Sequence, residues 1–170
     1  MKNTENIILV GLMGSGKTTL GKQLSKTFNK DFIDTDYLIQ QKTGVDITTI
    51  FELEGENGFR ARETSLLKDL VLEENKVIAT GGGMVLRSDN RELLKKIGKI
   101  FYLRASPNDL ALRLKHDKSR PLIQNVDLLS KLKTLFEERD MIYRDLANFI
   151  IETKNKRISD MNEQIKELLN

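Results

Sequence analysis

Gly11-Leu12-Met13-Gly14-Ser15-Gly16-Lys17-Thr18 decides the architecture, because of what stands on either side of it. Ahead of it runs Asn6-Ile7-Ile8-Leu9-Val10, a short apolar stretch of β character. Behind it, Leu20, Leu24 and Phe28 recur at helical spacing. Strand, glycine loop, helix is the setting in which this motif folds into a phosphate cradle. The glycines let backbone N–H groups curl around an anion where a Cβ would clash. The helix N-terminus adds the positive end of its dipole. In such a loop the lysine, here Lys17, reaches the β- and γ-phosphates, and the Thr18 hydroxyl ligates Mg²⁺. The chain is therefore expected to bind a nucleoside triphosphate.

Four further apolar runs read as strands: Asp31-Phe32-Ile33-Asp34, Lys76-Val77-Ile78-Ala79-Thr80, Lys99-Ile100-Phe101-Tyr102-Leu103 and Asn148-Phe149-Ile150-Ile151-Glu152. Helical pattern separates each from the next, which predicts an α/β fold with a parallel sheet between two helical layers. Ligands of such sheets bind at the carboxyl ends of the strands. Those positions hold the glycine loop, then Asp34, Thr35 and Asp36, then Gly81, Gly82 and Gly83. Between Asp46 and Asn75 lie two helical segments with no strand, more than a crossover needs, so this region reads as a helical insertion that walls a pocket. The polar, basic run from Lys115 to Pro121 reads as a mobile lid.

Composition bounds the function. The chain has 170 residues, enough for one domain with a proper core, and a net charge of +3. That mild excess, with no basic stripe and only 6% aromatic residues, suits a small anionic ligand better than a nucleic acid. There is no cysteine, and the single His116 excludes a multi-histidine metal site. No apolar run has membrane-spanning length, and the first strand begins too early to leave room for a signal peptide, so a cytoplasmic location is expected. With no long exposed apolar stripe, a monomer is expected.

Several side chains have the right chemistry. Asp34 and Asp36, two apart at a strand end, can share a side; one can hold Mg²⁺ through water while the other orients and deprotonates a hydroxyl. Alternatively Asp36 caps a helix starting at Tyr37. Arg60 is either the partner of Glu56 or Glu63 on its own helix, at roughly 0.2–0.5 kcal/mol, or a fork for a substrate carboxylate. On the helix expected from about residue 127 to 147, Leu128, Leu132, Leu135, Ile142 and Leu146 form a stripe with one gap, and Arg139 fills it. An inward arginine needs an anion, supplied by an internal carboxylate or by a ligand. Gly81, Gly82 and Gly83 permit close approach of backbone to a ligand, or simply a tight turn. Arg113 and Arg120 flank the lid. Arg120, held extended before Pro121, can swing onto the transferring phosphoryl group or sit in solvent.

In this order and spacing the pieces resemble the shikimate kinase family. The residues that carry the likeness are Gly11 to Thr19, Phe32-Ile33-Asp34-Thr35-Asp36, Gly58-Phe59-Arg60 with Glu63, Thr80 to Gly83, Arg120-Pro121-Leu122, and Arg139 with Tyr143. The resemblance implies a five-stranded parallel sheet in a three-layer P-loop fold of the nucleoside monophosphate kinase type. It implies one kinase domain over residues 1–170, with a substrate-binding helical insertion near 36–64 and a lid near 112–124. It implies phosphorylation of the 3-hydroxyl of shikimate by ATP as co-substrate, with one Mg²⁺ per subunit. By the same resemblance Gly14, Ser15, Gly16, Lys17, Thr18, Thr19, Arg113, Arg120 and Lys156 bind ATP, while Thr18 and Asp34 serve the metal. Asp36, Arg60, Gly81, Gly82, Gly83 and Arg139 bind shikimate, and Lys17, Asp36 and Arg120 are catalytic. The chain departs from the family pattern at Lys156, where arginine is common, and at Ile158, where proline is common. Other readings remain: a kinase for another polyol acid such as gluconate, a nucleoside monophosphate kinase, or a nucleotide switch without phosphotransfer.

Overall fold

The computed structural model describes residues 4–116 and 127–170. Five strands, β1 (Asn6–Val10), β2 (Asp31–Asp34), β3 (Lys76–Ala79), β4 (Gly98–Arg104) and β5 (Phe149–Glu152), form one parallel sheet in the order β2-β3-β1-β4-β5. All five lie where the apolar runs predict them. β4 is longer than its apolar run because Gly98 pairs with Asn6 at one end and Arg104 with Glu152 at the other. Every residue of β1 is buried, as a central parallel strand covered on both faces must be.

Helices α1 (Lys17–Phe28), α2 (Thr35–Thr43), α3 (Ile47–Leu70), α4 (Ser88–Ile97), α5 (Pro107–Lys115), α6 (Leu128–Leu146) and α7 (Ile158–Leu169) connect and cover the strands. Alternation along the strands splits the core in two. Ile7, Leu9, Val77, Phe101 and Leu103 pack under Leu20 and Leu24 of α1 and Met161 and Ile165 of α7. Ile8, Val10, Ile78, Ile100 and Tyr102 face the other way, onto Leu66 and Leu67 of α3, Leu94 of α4, and Leu132 and Tyr143 of α6. The chain leaves β1 to build β2 and β3 on one side, then crosses to β4 and β5 on the other. β1 is therefore the switch point, and a crevice opens at its carboxyl end.

Local chemistry sets the helix ends. Asp34, Asp46, Ser106 and Asp127 cap α2, α3, α5 and α6 by accepting backbone N–H bonds. The expectation that Asp36 caps a helix starting at Tyr37 is corrected here. The helix starts at Thr35, and it is Asp34 whose side chain accepts from Tyr37 N. That frees Asp36 from the capping role. The two helical segments expected after Asp46 are both present, joined within α3 across a break at Gly55, where φ is 71° and ψ is −177°. The lid near 112–124 begins within α5, and from residue 117 it lies outside the described residues.

Candidate active site

The glycine loop turns away from β1 with Gly14 at φ 80° and Gly16 at φ 100°, backbone that side chains rarely tolerate. Lys17 opens α1 and folds back across the loop, donating to the carbonyls of Gly11 and, at 3.0 Å, Leu12. Ser15 Oγ is buried there and hydrogen-bonds no described residue. One residue on, the Thr18 hydroxyl donates to Asp34 Oδ2 at 3.2 Å, while Asp34 Oδ1 accepts from Tyr37 N at 3.1 Å. The capping bond thus aims the second carboxylate oxygen at the threonine.

Opposite the loop, Gly81, Gly82 and Gly83 form a turn closed by Met84 N to Gly81 O at 3.2 Å. The turn also does something a plain turn does not. A Cβ at each glycine would meet a different side chain of the crevice, too closely at Gly81 and Gly83 and at ordinary contact distance at Gly82. At Gly81 it is Asp36, whose Oδ1 would be 2.7 Å from a Cβ, with Glu63 Oε2 at 3.3 Å. At Gly82 it is Arg139 Nη1, at 3.4 Å, and at Gly83 it is the Arg60 guanidinium. Three side chains from three helices are packed against one stretch of bare backbone.

Arg60 makes the ion pairs that one reading expects and lies in the cavity that the other needs. It pairs with Glu63 at 2.7 Å and with Glu56 at 3.4 Å, and it also lines the cavity. Its guanidinium lies 5.4 Å from the Phe59 ring centroid, and its Nε has no partner among the described residues. Arg139 makes no contact-distance ion pair with a described carboxylate, although Glu63 feels its charge, and its Nε is likewise buried without a partner. Buried donors without acceptors cost free energy unless a ligand meets them. The Glu63 side chain is wholly buried. Burial pushes its pKa up to about 7 against the pull of Arg60, and the nearby Asp36 charge adds to the rise.

One cavity of about 530 Å³ gathers Gly14, Ser15, Gly16, Lys17, Thr18, Thr19, Asp34, Asp36, Arg60, Gly81, Gly82, Gly83, Arg113 and Arg139. Arg113 reaches from α5 to Gly14 O at 3.4 Å and to Thr153 Oγ1 at 3.2 Å, tying the phosphate loop to the turn after β5. Lys156 is not in this lining; its ammonium donates to Gln164 of α7 at 2.8 Å. Arg120 lies outside the described residues. Sequence reasoning missed the apolar wall contributed by Ile47, Phe51 and Phe59, the last two with ring centroids 4.8 Å apart. It also passed over Glu63 as a site residue, although its place one turn after Arg60 puts it on the same helix face.

A triphosphate cradle at the switch point of a parallel sheet, with cationic side chains gathered across the same cavity, marks the fold as a P-loop kinase of the nucleoside monophosphate kinase type. The particular family follows from comparison: the shikimate kinase family model matches residues 13–170. The chain belongs to the shikimate kinase family. A shikimate kinase of Burkholderia thailandensis is 49% identical over 156 residues, covering 92% of this chain and 85% of that one. A solved shikimate kinase from Acinetobacter baumannii, in complex with shikimate, superposes with a TM-score of 0.91 at 42% identity, covering 99% of this chain and 94% of that one. A gluconokinase from Sinorhizobium meliloti shares the fold, with a TM-score of 0.59, but only 16% identity over 99% of this chain and 97% of its own.

Proposed function

We propose that the chain transfers the γ-phosphoryl group of ATP to the 3-hydroxyl of shikimate, giving shikimate 3-phosphate and ADP in aromatic amino acid biosynthesis. One observation carries the choice of acceptor. Arg60 and Arg139, each with an unpartnered buried Nε, lie against Gly83 and Gly82 in the cavity that holds the phosphate loop. Two guanidinium groups at one end suit a carboxylate, by charge-assisted and bidentate hydrogen bonds. Gluconate would present a carboxylate too, but that kinase is related only through its fold.

In this reading the glycine loop and Lys17 cradle the β- and γ-phosphates. The loop's unpartnered Ser15 Oγ and the oxygen pair of Thr18 and Asp34 fit a hard cation that keeps several waters and takes few protein ligands. When bound, one Mg²⁺ per subunit neutralises charge on the transferring group. Asp36, against Gly81, accepts the hydroxyl proton. Arg60, Arg139 and the glycine turn fix the carboxylate end, so the hydroxyl meets the phosphorus in line. Little covalent chemistry falls to the protein; positioning and electrostatics carry the rate. Arg113 braces the adenine side, and Lys156 serves it from the turn after β5. The helical insertion near 36–64 forms the acceptor wall of a single domain, and the lid near 112–124 brings Arg120 onto ATP. Among the described residues no helix is long and apolar enough to cross a membrane. The protein works as a cytoplasmic monomer on small molecules, without nucleic acid or membrane.

The test is ADP release in the presence of ATP and Mg²⁺. It is expected to depend on shikimate and to ignore gluconate and nucleoside monophosphates. Turnover driven by one of those compounds and not by shikimate would overturn the assignment.

A pH effect follows from Glu63. In the free enzyme this carboxyl titrates near 7. A substrate carboxylate bound beside it adds a like charge and raises its proton affinity further. Binding then takes up a proton, so affinity for shikimate falls as pH rises through 7. Calorimetry at pH 7 in two buffers of different ionisation enthalpy should detect that uptake, and Glu63→Gln should abolish it.

A further inference from the structure

The glycine turn has one more contact, outside the roles assigned above. Tyr143, on α6 one turn beyond Arg139, is 1% exposed, and its hydroxyl donates to the carbonyl of Gly82. The Arg139 guanidinium stands beside the same hydroxyl, the two groups 3.4 and 3.7 Å from one point at Gly82. A phenol has one proton to give and lone pairs to receive; the proton goes to Gly82, which leaves the lone pairs for the neighbouring guanidinium. We propose that Tyr143 is a positioning residue for the acceptor site, its hydroxyl holding the Arg139 guanidinium and the Gly82 carbonyl in the geometry that receives a carboxylate. The proposal rests on the reading that Arg139 and the glycine turn meet the substrate carboxylate.

The physical case has three parts. First, the Gly82 carbonyl lines an anion site, and a carbonyl free to turn into that site would face a carboxylate with its negative end. Glycine backbone is the most able to make that turn. The bond from Tyr143 holds the carbonyl on the α6 side, and trans peptide geometry sends the Gly83 N–H the opposite way. Second, no described carboxylate ion-pairs with Arg139 at contact distance, so the phenol oxygen beside it supplies a fixed point. A Cβ at Gly82 would be 3.4 Å from Arg139 Nη1 and 3.7 Å from the Tyr143 hydroxyl, so all three groups meet at one place. Third, the ring is itself held. It lies 4.8 Å from the Tyr102 ring at 30°, and the Tyr102 hydroxyl donates to Asp140 at 2.7 Å. Burial pushes the Tyr143 phenol up to about 12, so it remains a donor at any working pH.

Two variants test this. Tyr143→Phe keeps the ring and its packing and removes only the hydroxyl. The shikimate KM is expected to rise about tenfold, the loss of one hydrogen bond to a charged group, while the ATP KM stays within about twofold. Tyr102→Phe removes the other hydroxyl of the same ring pair, away from the cavity. It is expected to lower the melting temperature and to leave the shikimate KM unchanged. An unchanged shikimate KM in Tyr143→Phe overturns the proposal. So does an equal rise in both variants, which would make the effect one of general packing. If the wild type turns over shikimate in these assays, the functional reading survives either failure. A wild type that ignores shikimate removes that reading and this proposal with it.

Discussion

Asp36→Asn should lower kcat by about 10²–10⁴-fold while the ATP KM stays within about twofold, the loss expected when a positioned general base is removed. Steady-state kinetics with each substrate varied in turn will measure it. The variant is informative because its structural side effects are small. Asp36 does not cap its helix; Asp34 does, through Tyr37 N. An asparagine has the same shape and still fits against Gly81, where the missing Cβ makes room for it. What it lacks is the capacity to take a proton from the hydroxyl. The substitution also removes a negative charge beside Glu63, so that carboxyl should titrate below 7 in the variant. A near-normal kcat would mean that Asp36 only shapes the pocket.

The fold was legible because the signals that set it are local. A parallel strand buried on both faces must be apolar throughout, and Ile7-Ile8-Leu9-Val10 and Ile100-Phe101-Tyr102-Leu103 could be nothing else. Part of the site was legible for the same reason. Arg139 interrupts an aliphatic stripe, and the structure turns that interruption toward the cavity. What stayed hidden depends on contacts between distant segments. Nothing in Gly81-Gly82-Gly83 says that Asp36 and Arg60 will each occupy the space of an absent Cβ, or that Arg139 will pack against Gly82. Tyr143 lies on the same stripe as Arg139, but a search for aliphatic spacing passes over a tyrosine whose value is its hydroxyl. The two readings of Arg60 do not exclude each other, since its ion pair with Glu63 holds it at the cavity. The start of α2 was misread by two residues because Asp34 and Asp36 are both good caps, and only the strand end decides between them.

Arg139→Ala is expected to weaken shikimate by about 2–5 kcal/mol, a rise in KM of roughly 30-fold or more, the cost of truncating one side of a desolvated charge pair. ATP should be nearly unaffected, since Arg139 lies against Gly82 of the glycine turn and beside the Tyr143 hydroxyl. The free protein should lose little stability, because Arg139 makes no ion pair at contact distance and Glu63, which feels its charge more weakly, keeps Arg60. Arg60→Ala supplies the contrast. It strips the wholly buried Glu63 of its closest cation, at 2.7 Å, and an orphaned buried charge costs about 3–5 kcal/mol or forces the carboxyl to stay protonated. Glu63 would then titrate above 7, and the melting temperature would fall as pH rises through that value. The two arginines should therefore separate cleanly in a melting experiment although both raise the shikimate KM. Equal losses of shikimate and ATP affinity in Arg139→Ala, with a fall in stability, would instead make Arg139 a structural cation and leave Arg60 alone at the acceptor end.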